Sequence, residues 1–209
     1  RWPISHSEPE TMEATRSEIT AFIAEAVRGL YPEREARRIA LTAAAALSGE
    51  SEAKFLADPN QRVNIDGVER CAAQLAAGCP VQYVTGKTEF CDMTFHVDGS
   101  VLVPRPETEE LVLWAGQCAA GFQRPRILDV CTGSGCIAIV LAAHLPQAEV
   151  TALDISHAAF ETARRNASMN GVRIRFIEDD ALNGMPSLAG ETFDIIVSNP
   201  PYIPHSEIE

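Results

Sequence analysis

Arg126-Ile127-Leu128-Asp129-Val130-Cys131-Thr132-Gly133-Ser134-Gly135 decides the fold. Its first five residues make a short, mostly apolar run with an acid near its end, the pattern of a strand buried on both faces of a parallel sheet. A loop of small residues follows, and Cys136 to Leu145 then reads as an apolar helix. Strand, glycine-rich turn and helix N-terminus together present backbone N–H groups to a polar ligand.

The same alternation repeats downstream. Val150 to Asp154 is a second strand, again closed by an acid, and Ala158 to Asn170 is its helix, with Gly171 at the end. Val172 to Ile177 is a third strand running into Glu178-Asp179-Asp180, and Phe193 to Ser198 is a fourth, apolar enough to be buried. This βαβαβ order predicts an α/β protein with a doubly wound, mostly parallel, Rossmann-like sheet. Asp154 lies about twenty residues beyond the glycines, where a carboxylate receives the hydroxyls of a ribose.

Asn199-Pro200-Pro201-Tyr202 follows the fourth strand, at the carboxyl edge where open sheets bind ligands. The two prolines offer carbonyl acceptors on a stiff backbone and no N–H. The Asn199 amide adds a further acceptor, and Tyr202 a flat aromatic face. That set suits a planar NH2 group conjugated to a carbonyl or a ring. Held on fixed acceptors, such a nitrogen turns its lone pair toward an electrophile with no strong general base. A proline-rich turn is the bland alternative for the motif in isolation.

Gly133 and Gly135 with Ala138 would also pass as a dinucleotide fingerprint. Asp129 argues against it: a negative charge facing the crevice suits the amino group and sulfonium of S-adenosylmethionine better than an anionic pyrophosphate. A hydride-transfer enzyme has no evident use for Asn-Pro-Pro-Tyr either.

Composition narrows the class further. The 209 residues carry 29 Asp and Glu against 17 Lys and Arg, a formal net charge of -12. Duplex-binding surfaces need basic patches, so stable nucleic-acid binding is not expected. Cys71, Cys79, Cys91, Cys118, Cys131 and Cys136 form no C-x-x-C pair, and no histidine stands at zinc-ligand spacing. They are expected to be reduced thiols of a cytoplasmic protein with no metal site. No apolar stretch is long enough to span a bilayer, and the start has no signal-peptide pattern. Arg1 stands where a methionine would open a chain, so the sequence is expected to begin inside a longer one.

Residues 1–80 read as a helical bundle. Ile19, Phe22, Ile23, Ala26, Val27 and Leu30 recur at helical spacing within Thr11 to Leu30; further helices are predicted over Glu33 to Leu47, near Ser51 to Ala57 and over Val68 to Ala77. Residues 81–103, with Tyr83-Val84-Thr85, Glu89-Phe90 and Thr94 to Val97, read as a β-hairpin linker. Residues 104–209 hold the sheet domain. At its start, Glu107 or Thr108 opens a helix whose buried side is predicted to be Leu111, Val112, Leu113 and Trp114.

Four blocks of this sequence carry a resemblance: Gln82 to Gly86 with Glu89-Phe90; Val103 to Glu110, reading V-P-R-P-E-T-E-E; Asp129 to Gly135; and Asn199 to Tyr202. The chain resembles the release factor glutamine methyltransferases, the HemK/PrmC family. The resemblance implies an S-adenosylmethionine-dependent methyltransferase fold and methylation of N5 of the glutamine in the Gly-Gly-Gln loop of class 1 peptide-chain release factors, with S-adenosylhomocysteine as the product. By the same resemblance, Cys131, Thr132, Gly133, Ser134 and Gly135 line the methionine part of the cofactor. Asp154 binds its ribose, and Asp180 and Ala181 lie beside the adenine. Asn199, Pro200 and Pro201 hold the glutamine amide and Tyr202 packs on it, while the helical front grips the release factor. A monomer without membrane attachment is expected.

Such a sheet normally has about three further strands, so the sequence is expected to be a fragment ending after strand four. The rival functions are an N6-adenine DNA or RNA methyltransferase, whose target is also a conjugated NH2 group, and a cofactor-binding module without catalysis.

Overall fold

The computed structural model describes residues 11–201. The chain divides into two compact units, residues 1–86 and residues 87–209.

In the first unit, β1 (Thr11–Thr15) leads directly into α1 (Arg16–Ala26). The sequence reading ran a helix from Thr11; the structure instead pairs β1 antiparallel with β2 (Arg62–Asp66). The physical reason is a capping box. Thr15 Oγ1 accepts from the Glu18 N–H while Glu18 Oε2 accepts from the Thr15 N–H, so the helix starts at Arg16 and nowhere earlier. The helices α2 (Glu33–Leu47), α3 (Glu52–Ala57) and α4 (Val68–Ala76) follow the predicted positions closely. Their core joins Ile19, Ile23 and Val27 to Ala40, Ala43 and Ala44, with Phe55, Ile65, Val68 and Leu75. Alanines, rather than Ile39 or Leu41, form the buried stripe of α2, which lets neighbouring helices approach closely.

Tyr83-Val84-Thr85, predicted to be extended, belongs to a short helix, α5 (Val81–Thr85). Val81 and Val84, three residues apart, pack on the first unit's core, and Gly86 ends the helix in the left-handed conformation. Tertiary packing here overrides β-propensity.

The second unit opens with a hairpin, β3 (Lys87–Phe90) and β4 (Met93–His96). Its two-residue turn, Cys91-Asp92, has positive φ at both positions, which matches the twist of the strands. The helix α6 (Glu107–Ala119) then precedes β5 (Arg126–Val130), α7 (Cys136–His144), β6 (Glu149–Asp154), α8 (His157–Met169), β7 (Arg175–Glu178) and β8 (Ile195–Ser198). All four strands from β5 onward are parallel, in the order β7-β6-β5-β8. The chain therefore winds outward from β5 through β6 to β7 and returns on the other side of β5, which makes the sheet doubly wound. The switch point lies between the carboxyl ends of β5 and β8. Helix α7 is buried from Cys136 to Leu141, as its unbroken apolar sequence requires.

Two expectations fail here. Helix α6 buries Thr108, Val112, Ala115 and Ala119, while Leu113 and Trp114 are about two-thirds exposed. A run of four consecutive apolar residues wraps round a helix, so only those in phase with Thr108 and Ala115 reach the core. In β8 only Val197 is buried, and Ile196 is largely exposed, because β8 is an edge strand among the described residues. None of the helices among the described residues is long and apolar enough to cross a membrane.

Candidate active site

The carboxyl ends of β5, β6, β7 and β8 carry the residues that the sequence singled out. Asp129, next to last in β5, is fully buried. Its Oδ2 accepts from Thr132 Oγ1 at 2.6 Å and from the Ala138 N–H at 3.2 Å. Gly135, the N-cap of α7, has no side chain to cap the helix, so the Asp129 carboxylate supplies that acceptor from the strand below. Oδ1 of the same carboxylate has no hydrogen-bond partner among the described residues. Burial pushes the Asp129 carboxyl up to about 7, against the opposing hydrogen bonds from Thr132 and Ala138. The sequence reading had this charge facing an open crevice; the structure encloses it, because the Thr132 side chain and the first turn of α7 close over it.

The loop above is held by several contacts. The Thr132 N–H donates to the Leu153 carbonyl at 3.0 Å, and the Gly133 N–H to Asp154 Oδ2 at 2.8 Å. Asp154 Oδ1 accepts from the Ser156 N–H at 3.0 Å. Cys131 adopts φ 61°, a conformation that favours glycine. Its thiol, raised mainly by burial, is not a thiolate nucleophile. A Cβ on Gly135 would come to 3.0 Å from Ile139 Cδ1 and 3.1 Å from Ala163 Cβ, so the missing side chain is what lets α7 and α8 pack together at the loop.

Beyond β7, Asp180 Oδ1 accepts from the Leu182 N–H at 2.9 Å and opens the short turn Ala181–Asn183. Its neighbour Asp179 takes the Ser187 and Asp180 N–H groups, and these backbone donors hold its carboxyl below the ordinary value. After β8, Asn199 is half-buried and its Nδ2 donates to Thr108 Oγ1 at 2.9 Å. Ser198 Oγ ties the same strand end to the Val130 carbonyl at 2.7 Å. Pro200 and Pro201 are exposed, and Tyr202 lies outside the described residues.

Two contributors were missed by the sequence reading. Asn166 on α8 is fully buried; its Oδ1 accepts from the His96 N–H at 2.7 Å, and its Nδ2 donates to the carbonyls of His96 and Ser134, each at 2.9 Å. It thereby clamps the hairpin to the glycine loop. Glu109 Oε1 accepts from the Cys91 N–H at 3.0 Å and ties α6 to the hairpin turn. In a single sequence Asn166 is not distinguishable from an ordinary polar position on a helix, and Glu109 was read only as part of the block Val103 to Glu110, with no role of its own.

An apolar groove of about 910 Å³ lies elsewhere, within the first unit, lined by Arg16, Tyr31, Leu41, Phe55 and Leu56 among others. Its acids Glu25 and Glu33 are ion-paired to Arg28 and Arg37. The strand ends of the second unit hold the convergent polar groups, so the chemistry is assigned there.

The methyltransferase small domain family matches residues 117–209, the stretch that runs from the end of α6 through Asn199. The release factor glutamine methyltransferase of Chlorobaculum tepidum is 52% identical over 138 residues, which cover 62% of this chain and 47% of that protein. Its namesake from Bacteroides thetaiotaomicron is 35% identical over 196 residues, covering 90% of this chain and 68% of that protein. The chain belongs to the release factor glutamine methyltransferase family. It spans about half to two thirds of the length of these two relatives. A solved S-adenosylmethionine-dependent methyltransferase from Agrobacterium tumefaciens is 27% identical with a TM-score of 0.46, over 55% of this chain and 39% of that one. In this release factor glutamine methyltransferase family member, the block P-R-P-E-T-E-E has a visible structural use. Thr108 receives Asn199, and Glu109 receives the hairpin turn.

Proposed function

We propose that the complete protein transfers the methyl group of S-adenosylmethionine to N5 of the glutamine in the Gly-Gly-Gln loop of class 1 release factors, in the cytoplasm. The helical first unit helps to recognise the release factor. The observation that carries this reading is the Asn199 amide at the switch point, anchored through Nδ2 to Thr108 Oγ1.

The residues present fit the cofactor. The strand ends carry Asp154, Asp179 and Asp180, with no lysine or arginine among the loop residues 131–135 and 179–184. That charge suits a cationic ligand and opposes a pyrophosphate. Oδ1 of Asp129 is buried beneath the same loop with no partner among the described residues. Residues 131–135 would hold the amino-acid part, Asp154 the ribose, and Asp180 with Ala181 the adenine. When bound, the cofactor supplies an electrophilic methyl group on a sulfonium.

This chain's own part is to hold the amide nitrogen. Asn199 Oδ1 and the Pro200 carbonyl accept its two N–H bonds, which turns the lone pair away from them. By the resemblance, Tyr202 would pack on the amide plane. Neither acceptor is a strong base, and the proton displaced from nitrogen leaves to solvent after transfer.

The test offers radiolabelled S-adenosylmethionine to the complete protein with purified release factor and duplex DNA in parallel. Label on the release factor, lost when its Gly-Gly-Gln glutamine is replaced, is the expected result. Label on DNA alone overturns the reading in favour of an adenine substrate.

A further inference from the structure

We propose that Thr108 is the positioning residue that fixes the Asn199 side chain in its reactive orientation, an inference that rests on the function proposed above. An asparagine amide has two nearly isosteric orientations, and a flip exchanges an acceptor for a donor. With Nδ2 toward the substrate, Asn199 would set N–H against N–H and repel the amide it has to hold. The backbone leaves this choice to the side chain. Asn199 and Pro200 each precede a proline, which confines both to extended conformations, so the remaining freedom lies in the asparagine's own torsions.

Thr108 pairs with one of these two orientations. Its Oγ1 accepts from Asn199 Nδ2 at 2.9 Å across 91 residues of sequence. The anchor is itself immobile. Thr108 is only 6% exposed, in the first turn of α6, and its own N–H donates to the Arg105 carbonyl at 2.9 Å. The adjacent Glu109 fastens the same turn to the hairpin through Cys91. With Nδ2 held on α6, Oδ1 is the atom that remains for the substrate nitrogen. Thr108 touches neither substrate nor cofactor in this account and acts wholly through Asn199.

The experiment uses the complete protein with release factor and S-adenosylmethionine. Thr108→Val keeps the shape and removes the acceptor; kcat should fall about tenfold to a hundredfold, while KM for the release factor and the calorimetric affinity for S-adenosylmethionine stay within about twofold. Thr108→Ser, which restores the hydroxyl, should bring kcat back to within about threefold of wild type. In an Asn199→Ala background Thr108→Val should cost nothing more. The proposal is overturned if Thr108→Val turns over like wild type, if the serine variant is as slow as the valine, or if the two losses multiply. A merely structural role would lower cofactor affinity and thermal stability together with kcat. Label on some other substrate would sink the release-factor reading but leave this cycle measurable on that substrate. If no substrate is labelled, hydrogen exchange of the Asn199 side-chain amide, followed by NMR, still decides. Faster exchange in Thr108→Val is expected, and unchanged exchange overturns the proposal.

Discussion

The Gly133 N–H donates to Asp154 Oδ2 at 2.8 Å, so the glycine loop that follows β5 hangs from the end of β6. The second oxygen of the same carboxylate holds the Ser156 N–H, at the start of α8. Asp154 is thus a structural tie between two strand ends before any ligand arrives, and its remaining lone pairs are what a ribose diol would use.

Asp154→Ala should therefore weaken cofactor binding in two ways, by removing the ribose acceptor and by releasing Gly133. Calorimetric affinity for S-adenosylmethionine is expected to drop by about tenfold or more, as for a lost charged hydrogen-bond partner. Equal affinity in the variant would remove Asp154 from the ribose.

Asn199→Ala separates binding from chemistry. The residue is tied to α6 rather than to the glycine loop, so cofactor affinity should be unchanged. Methyl transfer in the complete protein should fall by about two to three decades, as when an oriented polar partner is lost. An unaltered rate would mean that the amide is held by something else.

The sheet was legible because its signals are local: an apolar run containing or ending in Asp129 or Asp154, a small-residue turn, an apolar helix. The positions of the described candidate residues were legible for the same reason, since each sits just before or after a strand end. What escaped depends on distant partners. The strand Thr11–Thr15 needs Arg62–Asp66 beside it, and nothing near Thr11 announces that pairing, although the Thr15–Glu18 capping box did mark the true helix start. Trp114 is apolar and helical, yet its phase on α6 points it outward. Asn166 reaches His96 across 70 residues. Asp129 was placed correctly at its strand end but turned the wrong way, because strand position says nothing of how the following loop folds over it.

Asn166, like Asp154 and Asp179, is a single side chain that holds several backbone groups. Replacing it with alanine removes the hydrogen bonds it makes to the part-buried N–H and carbonyl of His96 and to the buried carbonyl of Ser134. A loss of about 3 kcal/mol in denaturant unfolding of the chain is expected. A loss below about 0.5 kcal/mol would mean that water or a rearranged hairpin replaces the clamp.

Asp129 makes the protein's stability depend on pH with a definite sign. Its carboxyl rises from 3.8 to about 7 in the folded chain, chiefly through burial, with nearby Asp154 adding to the rise. Between those values the folded state holds a proton that the unfolded state has released. The contribution to stability is therefore complete below 3.8 and is lost as pH climbs through about 7. Asp129→Asn keeps the size of the side chain and removes the titration. Unfolding free energies of the two proteins, measured at several values from pH 5 to pH 8, should diverge up to about pH 7. The wild type should lose at most about 1.4 kcal/mol per pH unit relative to the variant and level off above the folded value. Parallel curves would mean that Asp129 is ionised throughout, with a partner for Oδ1 supplied by water entering beneath the loop.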